Sequence, residues 1–171
     1  MTLDPFFAWL ESTALSQWVV GSPSLFAFPG ILALHAIGMA FAVGVSIAAS
    51  LRVLGIGAVM PLVDLRRFLP VFWAGFWLNA ISGALLLIGY PTKALTNPVF
   101  YLKLLLIAGA MLLLLTMLRH AGHGNESRDG VPAPLPDATR YMAIGSLLCW
   151  AGAITAGRLL AYTYSRLTVL G

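Results

Sequence analysis

Between Glu11 and Arg52 the chain carries no Asp, Glu, Lys or Arg, and Phe68 to Thr92 is equally free of charge. Two further apolar stretches, Asn97 to Leu118 and Tyr141 to Ser165, are interrupted by one formal charge each, Lys103 and Arg158. About 20 apolar residues suffice for a helix to cross the hydrocarbon, and a helix satisfies its own backbone there. The pattern predicts an all-α integral membrane protein: a four-helix bundle with spans at about 25–51, 68–90, 98–119 and 141–165, in a single membrane domain.

Composition agrees with that reading. Hydrophobic residues make up 60% of the 171 and charged residues 9%, against about a quarter charged in soluble domains. The surplus apolar surface needs a lipid bilayer as its partner. A net charge of +4, scattered along the chain, forms no basic patch that would grip nucleic acid. The lone Cys149 lies in an apolar run and has no intrachain disulfide partner.

The ends of the spans carry local stop and start signals. Asp4 and Pro5 pair a helix cap with a proline at the first helical position, as Asn97 and Pro98 do again. From 5 to about 20, Phe6, Phe7, Leu10, Ala14 and Trp18 recur at helical spacing opposite Glu11, Ser12 and Ser16. That describes a short amphipathic helix lying in the membrane interface, ended by Gly21, Ser22 and Pro23. Lys93 sits in a short connection, and the glycine- and proline-rich stretch from His120 to Thr139 reads as a solvated loop.

Basic residues sort by side. Arg52, Arg66, Arg67, Arg119, Arg128 and Arg140 fall after spans one and three, against Lys93 and Arg166 on the other side. The excess places the arginine connections in the cytoplasm. Both termini and the amphipathic helix then lie outside, in the periplasm for a bacterial cell inner membrane. Nothing at the N-terminus reads as a cleaved secretory signal, because no Lys or Arg precedes Leu10.

Three costly residues fall at one depth. At ~1.5 Å per residue, His35, Lys103 and Arg158 lie roughly 7 to 11 Å inside the outer ends of spans one, three and four. Ionisable groups within spans usually face a bundle interior and mark function. Snorkelling to the headgroups is the alternative for Lys103 and Arg158, and a bond to a neighbouring helix the alternative for His35. Gly38, Ala42 and Ser46 continue the His35 stripe as a groove of small side chains, while Gly75, Asn79 and Gly83, and Gly145, Cys149, Ala153 and Gly157, form similar stripes. Such stripes either leave room for a flat ligand or mark close helix packing.

A neutral imidazole near two cations suits heme b: His35 as axial ligand to the iron, Lys103 and Arg158 pairing the propionates, Gly38 and Ala42 flooring the groove. The sixth position would be open, filled by a weak donor such as Met39, or supplied by a partner. His120 and His123 lie about a membrane thickness away, too far to complete it, and with Glu126 they make a poor metal site of their own. No carboxylate lies inside a span, which disfavours a carboxylate proton pump. A quinone bonded by His35 and Lys103 and flanked by Trp73, Trp77 or Tyr90 is a second possibility, and a cofactor-free accessory subunit a third. Copper is disfavoured because the six methionines are dispersed.

The stretches LALHAIGMAFAVGVSIAASLRVLGI and NPVFYLKLLLIAGAMLLLLTMLRH resemble small bacterial four-helix membrane proteins of the copper-resistance D and heme-binding protoporphyrinogen oxidase type. WLESTALSQWVVGSPSLFAFPGILALHAIG looks closer still to a group of four-helix bacterial proteins of unknown function. The resemblance covers spans one to three. It implies heme b held by a span-one histidine, with a span-three lysine beside it, which correspond to His35 and Lys103. The chain departs from the pattern in its added N-terminal helix and in Ala49 and Ser50, where that group commonly has an acidic residue. Heme binding therefore carries over further than porphyrinogen oxidation. An electron-transfer role would add a redox partner or larger membrane complex, or a second copy of the chain in a homo-oligomer.

Overall fold

The computed structural model describes residues 4–56, 66–123 and 136–167. Helices account for nearly all of them: α1 (Asp4–Glu11), α2 (Ala14–Gly21), α3 (Phe28–Val53), α4 (Leu69–Gly89), α5 (Pro91–Leu95), α6 (Pro98–His123) and α7 (Asp137–Leu167), with a 3-10 turn at Arg66–Phe68 before α4. Among the described residues, α3, α4, α6 and α7 are the helices long and apolar enough to cross a membrane. They form an all-α membrane bundle.

The N-terminal region is two helices rather than one continuous amphipathic helix. Thr13 breaks the run: its hydroxyl accepts from the Ser16 N–H at 3.3 Å and caps α2, while donating to the Leu10 carbonyl at 2.7 Å. The orientation of α2 also differs from the expected face. Ser16 and Val19 are buried, and Gly89 of α4 lies close against Val19, whereas Trp18 is 44% exposed. Phe6, Trp9 and Leu15 are exposed with Trp18 and provide the apolar side. Glu11 accepts a hydrogen bond from Thr92 at 2.8 Å, tying α1 to the short helix α5.

That helix occupies the connection in which Lys93 was expected to lie in a loop. Two other boundaries extend beyond the sequence reading. α6 continues through His120 to His123, and α7 begins at Asp137, so only the residues between them remain as a connection, and those at 124–135 lie outside the described set. Asn97 caps α6 as its sequence suggests, accepting from the Val99 N–H at 3.0 Å.

Two antiparallel hairpins, α3 with α4 and α6 with α7, meet chiefly through α3 and α7. In the first, glycine brings backbone against backbone. A β-carbon at Gly38 would lie 2.6 Å from the Asn79 nitrogen and 2.8 Å from the Gly75 carbonyl oxygen; one at Gly75 would lie 2.7 Å from Phe41 Cβ. Between the hairpins, the Trp150 indole N–H donates to the Ser46 hydroxyl at 2.7 Å, and Ser46 lies 3.2 Å from the Ser146 hydroxyl. These buried polar groups satisfy one another, which lipid-embedded polar side chains require.

Packing is unequal along the bundle. The hydrophobic core joins Ala42, Val43, Ala49 and Val53 to Phe72, Ala110, Leu114, Met117, Leu118, Ala143 and Trp150. All of these lie from mid-bundle towards the arginine-bearing end, where Arg66 donates to the Leu118 carbonyl at 2.7 Å. Towards the α5 end, no residue of α6 from Pro98 to Gly109 is buried. His35, Asn79, Lys103 and Gly157 are half-buried in that half of the bundle.

Candidate functional site

His35 shares the inward stripe of α3 with Gly38, Ala42 and Ser46, all three buried, and is itself half-buried. Its Nδ1 lies 3.0 Å from the main-chain oxygen of Asn79 and 3.2 Å from the Ser82 hydroxyl. A carbonyl oxygen only accepts, so Nδ1 carries the proton. The other nitrogen, Nε2, is then a bare lone pair. No hydrogen bond engages it among the described residues, and it is not sealed from the surface. An N–H given to a main-chain carbonyl is how metal-ligating histidines are commonly oriented, because it fixes the tautomer and raises the basicity of the free nitrogen.

Helix α4 holds the imidazole from two further directions. The Asn79 side-chain amide donates to the His35 carbonyl oxygen at 2.8 Å, so the two residues are bonded reciprocally. Gly83 lies under the ring, where a β-carbon would come 3.0 Å from Cε1. The Ser82 hydroxyl is held in turn by the Leu78 carbonyl at 2.6 Å.

Lys103 lies on the α6 face that carries Ala110 and Leu114 two and three turns deeper, and it is half-buried. Its aliphatic stem and ammonium run across Gly157 of α7, within 3.7 to 3.9 Å of where a β-carbon would sit. It has no hydrogen-bond or ion-pair partner among the described residues, and it is near enough to His35 for the two to repel when both are charged.

Beneath these groups is a cavity of about 20 Å³ to which all four membrane-crossing helices contribute, including Met39, Ala42, Asn79, Lys103 and Trp150. A water needs ~10–15 Å³ measured this way, so the space suits one small molecule. Met39, one turn from His35 on the same helix, and Ala42 therefore line the interior as expected.

Two of the expected site residues do not. Arg158 is exposed, on the side of α7 away from buried Ala153 and Ala156, and takes no part in the His35–Lys103 constellation. Gly38 is buried against the backbone of α4 and leaves no groove for a flat ligand. The stripes of small residues on α3 and α4 are therefore contact surfaces first, although Gly83 and Gly157 give the imidazole and the lysine their room. The three aromatic residues considered as ring-flanking groups also lie elsewhere. Trp77 is 58% exposed, Tyr90 packs edge-on against Phe28, and Trp73 stands between Phe72 and Phe76.

Asn79, Ser82 and Trp150 are the contributors that sequence reasoning did not assign. The signal was present for the first two: they are the polar side chains of an otherwise apolar α4, three residues apart and so on one face. Among the described residues no three His, Cys, Asp or Glu side chains gather as a metal site. His120 is exposed and its Nδ1 is within 2.8 Å of the Thr116 carbonyl oxygen, while Glu126 lies outside the described residues. Comparison of the chain with protein-family models, with curated proteins and with solved structures returned no match.

Proposed function

We propose that this is a heme b-binding electron-transfer protein of the bacterial inner membrane, with His35 as an axial ligand and Lys103 pairing a propionate. The observation that carries the reading is the tautomer of His35: Nδ1–H is spent on the Asn79 carbonyl and the Nε2 lone pair is left unspent. Neutral imidazole in that state bonds iron. The unpaired ammonium of Lys103 answers the need of an anionic propionate.

The donor set fits heme b at one axial bond and one propionate. The 20 Å³ cavity does not contain a tetrapyrrole, so the room for the ring would lie in the half of the bundle where α6 buries nothing. Bound there, heme would supply one-electron redox chemistry. Asn79 and Ser82 would hold the imidazole at a fixed angle, Gly83 would keep its face unobstructed, and the apolar helices would exclude water.

The arginine connections supply the orientation: cytoplasmic for them, periplasmic for both termini and α5. Detergent-purified protein examined oxidised and reduced tests the heme reading directly. A Soret band that His35→Ala abolishes is expected; protein that stays colourless after reconstitution with heme removes the reading.

The same two groups support one second reading, in a site outside the 20 Å³ cavity, which holds neither ring. A quinol would donate a hydroxyl to His35 Nε2 and accept from Lys103 with its other oxygen. Colourless protein that co-purifies with an extractable quinone would select it.

A further inference from the structure

We infer that the groove between α2 and the last turn of α4 is a phospholipid site, taking a headgroup that ends in a primary ammonium, as in a phosphatidylethanolamine. It is separate from the His35–Lys103 constellation and independent of the heme reading.

The groove has a volume of about 410 Å³, within the ~300–1,000 Å³ of small-molecule sites. Glu11, Ser16, Gln17 and Tyr90 bring its polar groups, and Val20 and Gly89 an apolar wall. The sequence puts Ser16 on the polar face of an amphipathic helix, yet α2 packs it against the bundle and leaves it 2% exposed. No hydrogen bond engages its hydroxyl among the described residues, and the oxygen is not sealed off, so its remaining opening is to the groove. A buried hydroxyl without a partner in the chain takes one from outside it.

The charge of the lining selects that partner. Glu11 accepts from the Thr92 hydroxyl at 2.8 Å through one oxygen, which fixes the carboxylate and leaves its second oxygen to accept. The Gln17 amide gives an N–H to the Ser12 carbonyl at 3.4 Å, and its oxygen is likewise an acceptor. Among the described residues, neither Lys nor Arg lines the groove. A carboxylate, an amide oxygen and a hydroxyl together favour a small cation with several N–H donors, and charge-assisted bonds are the strong ones. A quaternary ammonium has no N–H to give, and an anionic headgroup would meet Glu11 with like charge.

The height of the groove argues for a lipid rather than a soluble amine. Gly89 ends the α4 span, so the groove lies where an apolar helix meets the headgroups. Phe6 and Trp9 of α1, and Leu15 and Trp18 of α2, expose apolar surface beside it, as interfacial helices do.

Native mass spectrometry of the detergent-purified full chain, given equal amounts of phosphatidylethanolamine, phosphatidylcholine and phosphatidylglycerol with matched acyl chains, reads the preference within one sample. The wild-type protein should retain phosphatidylethanolamine several-fold over the other two. Glu11→Gln keeps the shape of the side chain and an acceptor for Thr92, and should bring the three to equality; Ser16→Ala should narrow the excess. Loss of structure lowers all three lipids together and does not imitate a lost preference. Equal retention by the wild type, or an excess that both variants keep, overturns the inference. Displacement of the bound lipid by free ethanolamine at equal concentration also overturns it, because the occupant would then be a soluble amine.

Discussion

His35 and Asn79 are bonded to each other twice, each through its side chain to the other's main-chain oxygen, at 3.0 and 2.8 Å, across 44 residues of sequence. The two bonds are not equivalent. The one that sets the imidazole tautomer uses the Asn79 backbone, which survives any substitution there; the other depends on the amide. Asn79→Ala should therefore cost about 0.6 to 1.7 kcal/mol, the range of interhelical hydrogen bonds in membranes, while cofactor content stays near wild type. His35→Ala should abolish the Soret band. Unfolding by SDS from mixed micelles, followed beside the visible spectrum, separates the two effects; equal loss of cofactor in both variants would deny the backbone its role.

Glycine positions on the first hairpin divide sharply by what surrounds them. Gly38→Ala and Gly75→Ala each force a methyl to within 2.6 to 2.9 Å of the partner helix, with backbone atoms in the way, whereas Gly44→Ala meets nothing within 4 Å. Overpacking typically costs 1–3 kcal/mol. Both tight variants should lose about that much stability, and Gly44→Ala should be unchanged or slightly more stable, since alanine is the better helix former. Similar SDS unfolding of all three would mean the hairpin backbones are not in contact.

The fate of Arg158 shows where sequence reading stops. A count of residues gives its height along the helix, although the span ends at Leu160 rather than Ser165. Its direction was not legible, because one residue along a helix turns the side chain by about 100°, and Gly157, not Arg158, is the neighbour that faces Lys103. The spans were legible for a different reason: a charge-free run of that length has few other folds open to it. The break in the N-terminal helix was not legible from periodicity, because Ser12 and Thr13 continue a helical pattern as well as they cap a new one. His35 was recognisable as costly, but its tautomer depends on a carbonyl 44 positions away, and main-chain oxygens leave no mark on a sequence.

Lys103 and Arg158 should accordingly respond differently to neutralisation. Lys103→Met removes the ammonium that runs across Gly157 and, on the proposed heme reading, should lower heme retention during purification at least several-fold, with the effect read as the ratio of Soret to protein absorbance. Arg158→Gln, on the exposed side of α7, should leave that ratio unchanged. Matching losses in the two variants would restore Arg158 to the site and argue against the placement of α7.

Ser46, Ser146 and Trp150 allow a sharper test of the polar contact between the hairpins. Ser46→Ala removes a single oxygen but leaves the Trp150 indole N–H buried without an acceptor, a loss of about 1–3 kcal/mol. Trp150→Phe removes that donor, while Ser46 keeps the Ser146 hydroxyl 3.2 Å away. Adding Trp150→Phe to Ser46→Ala therefore abolishes the orphaned donor that the first change created, and the double variant should be more stable than the sum of the two single losses predicts. For residues in direct contact such coupling amounts to about 0.5–3 kcal/mol. A double-mutant cycle measured by SDS unfolding decides it, with strictly additive losses meaning that the indole and the hydroxyl do not bond in the membrane.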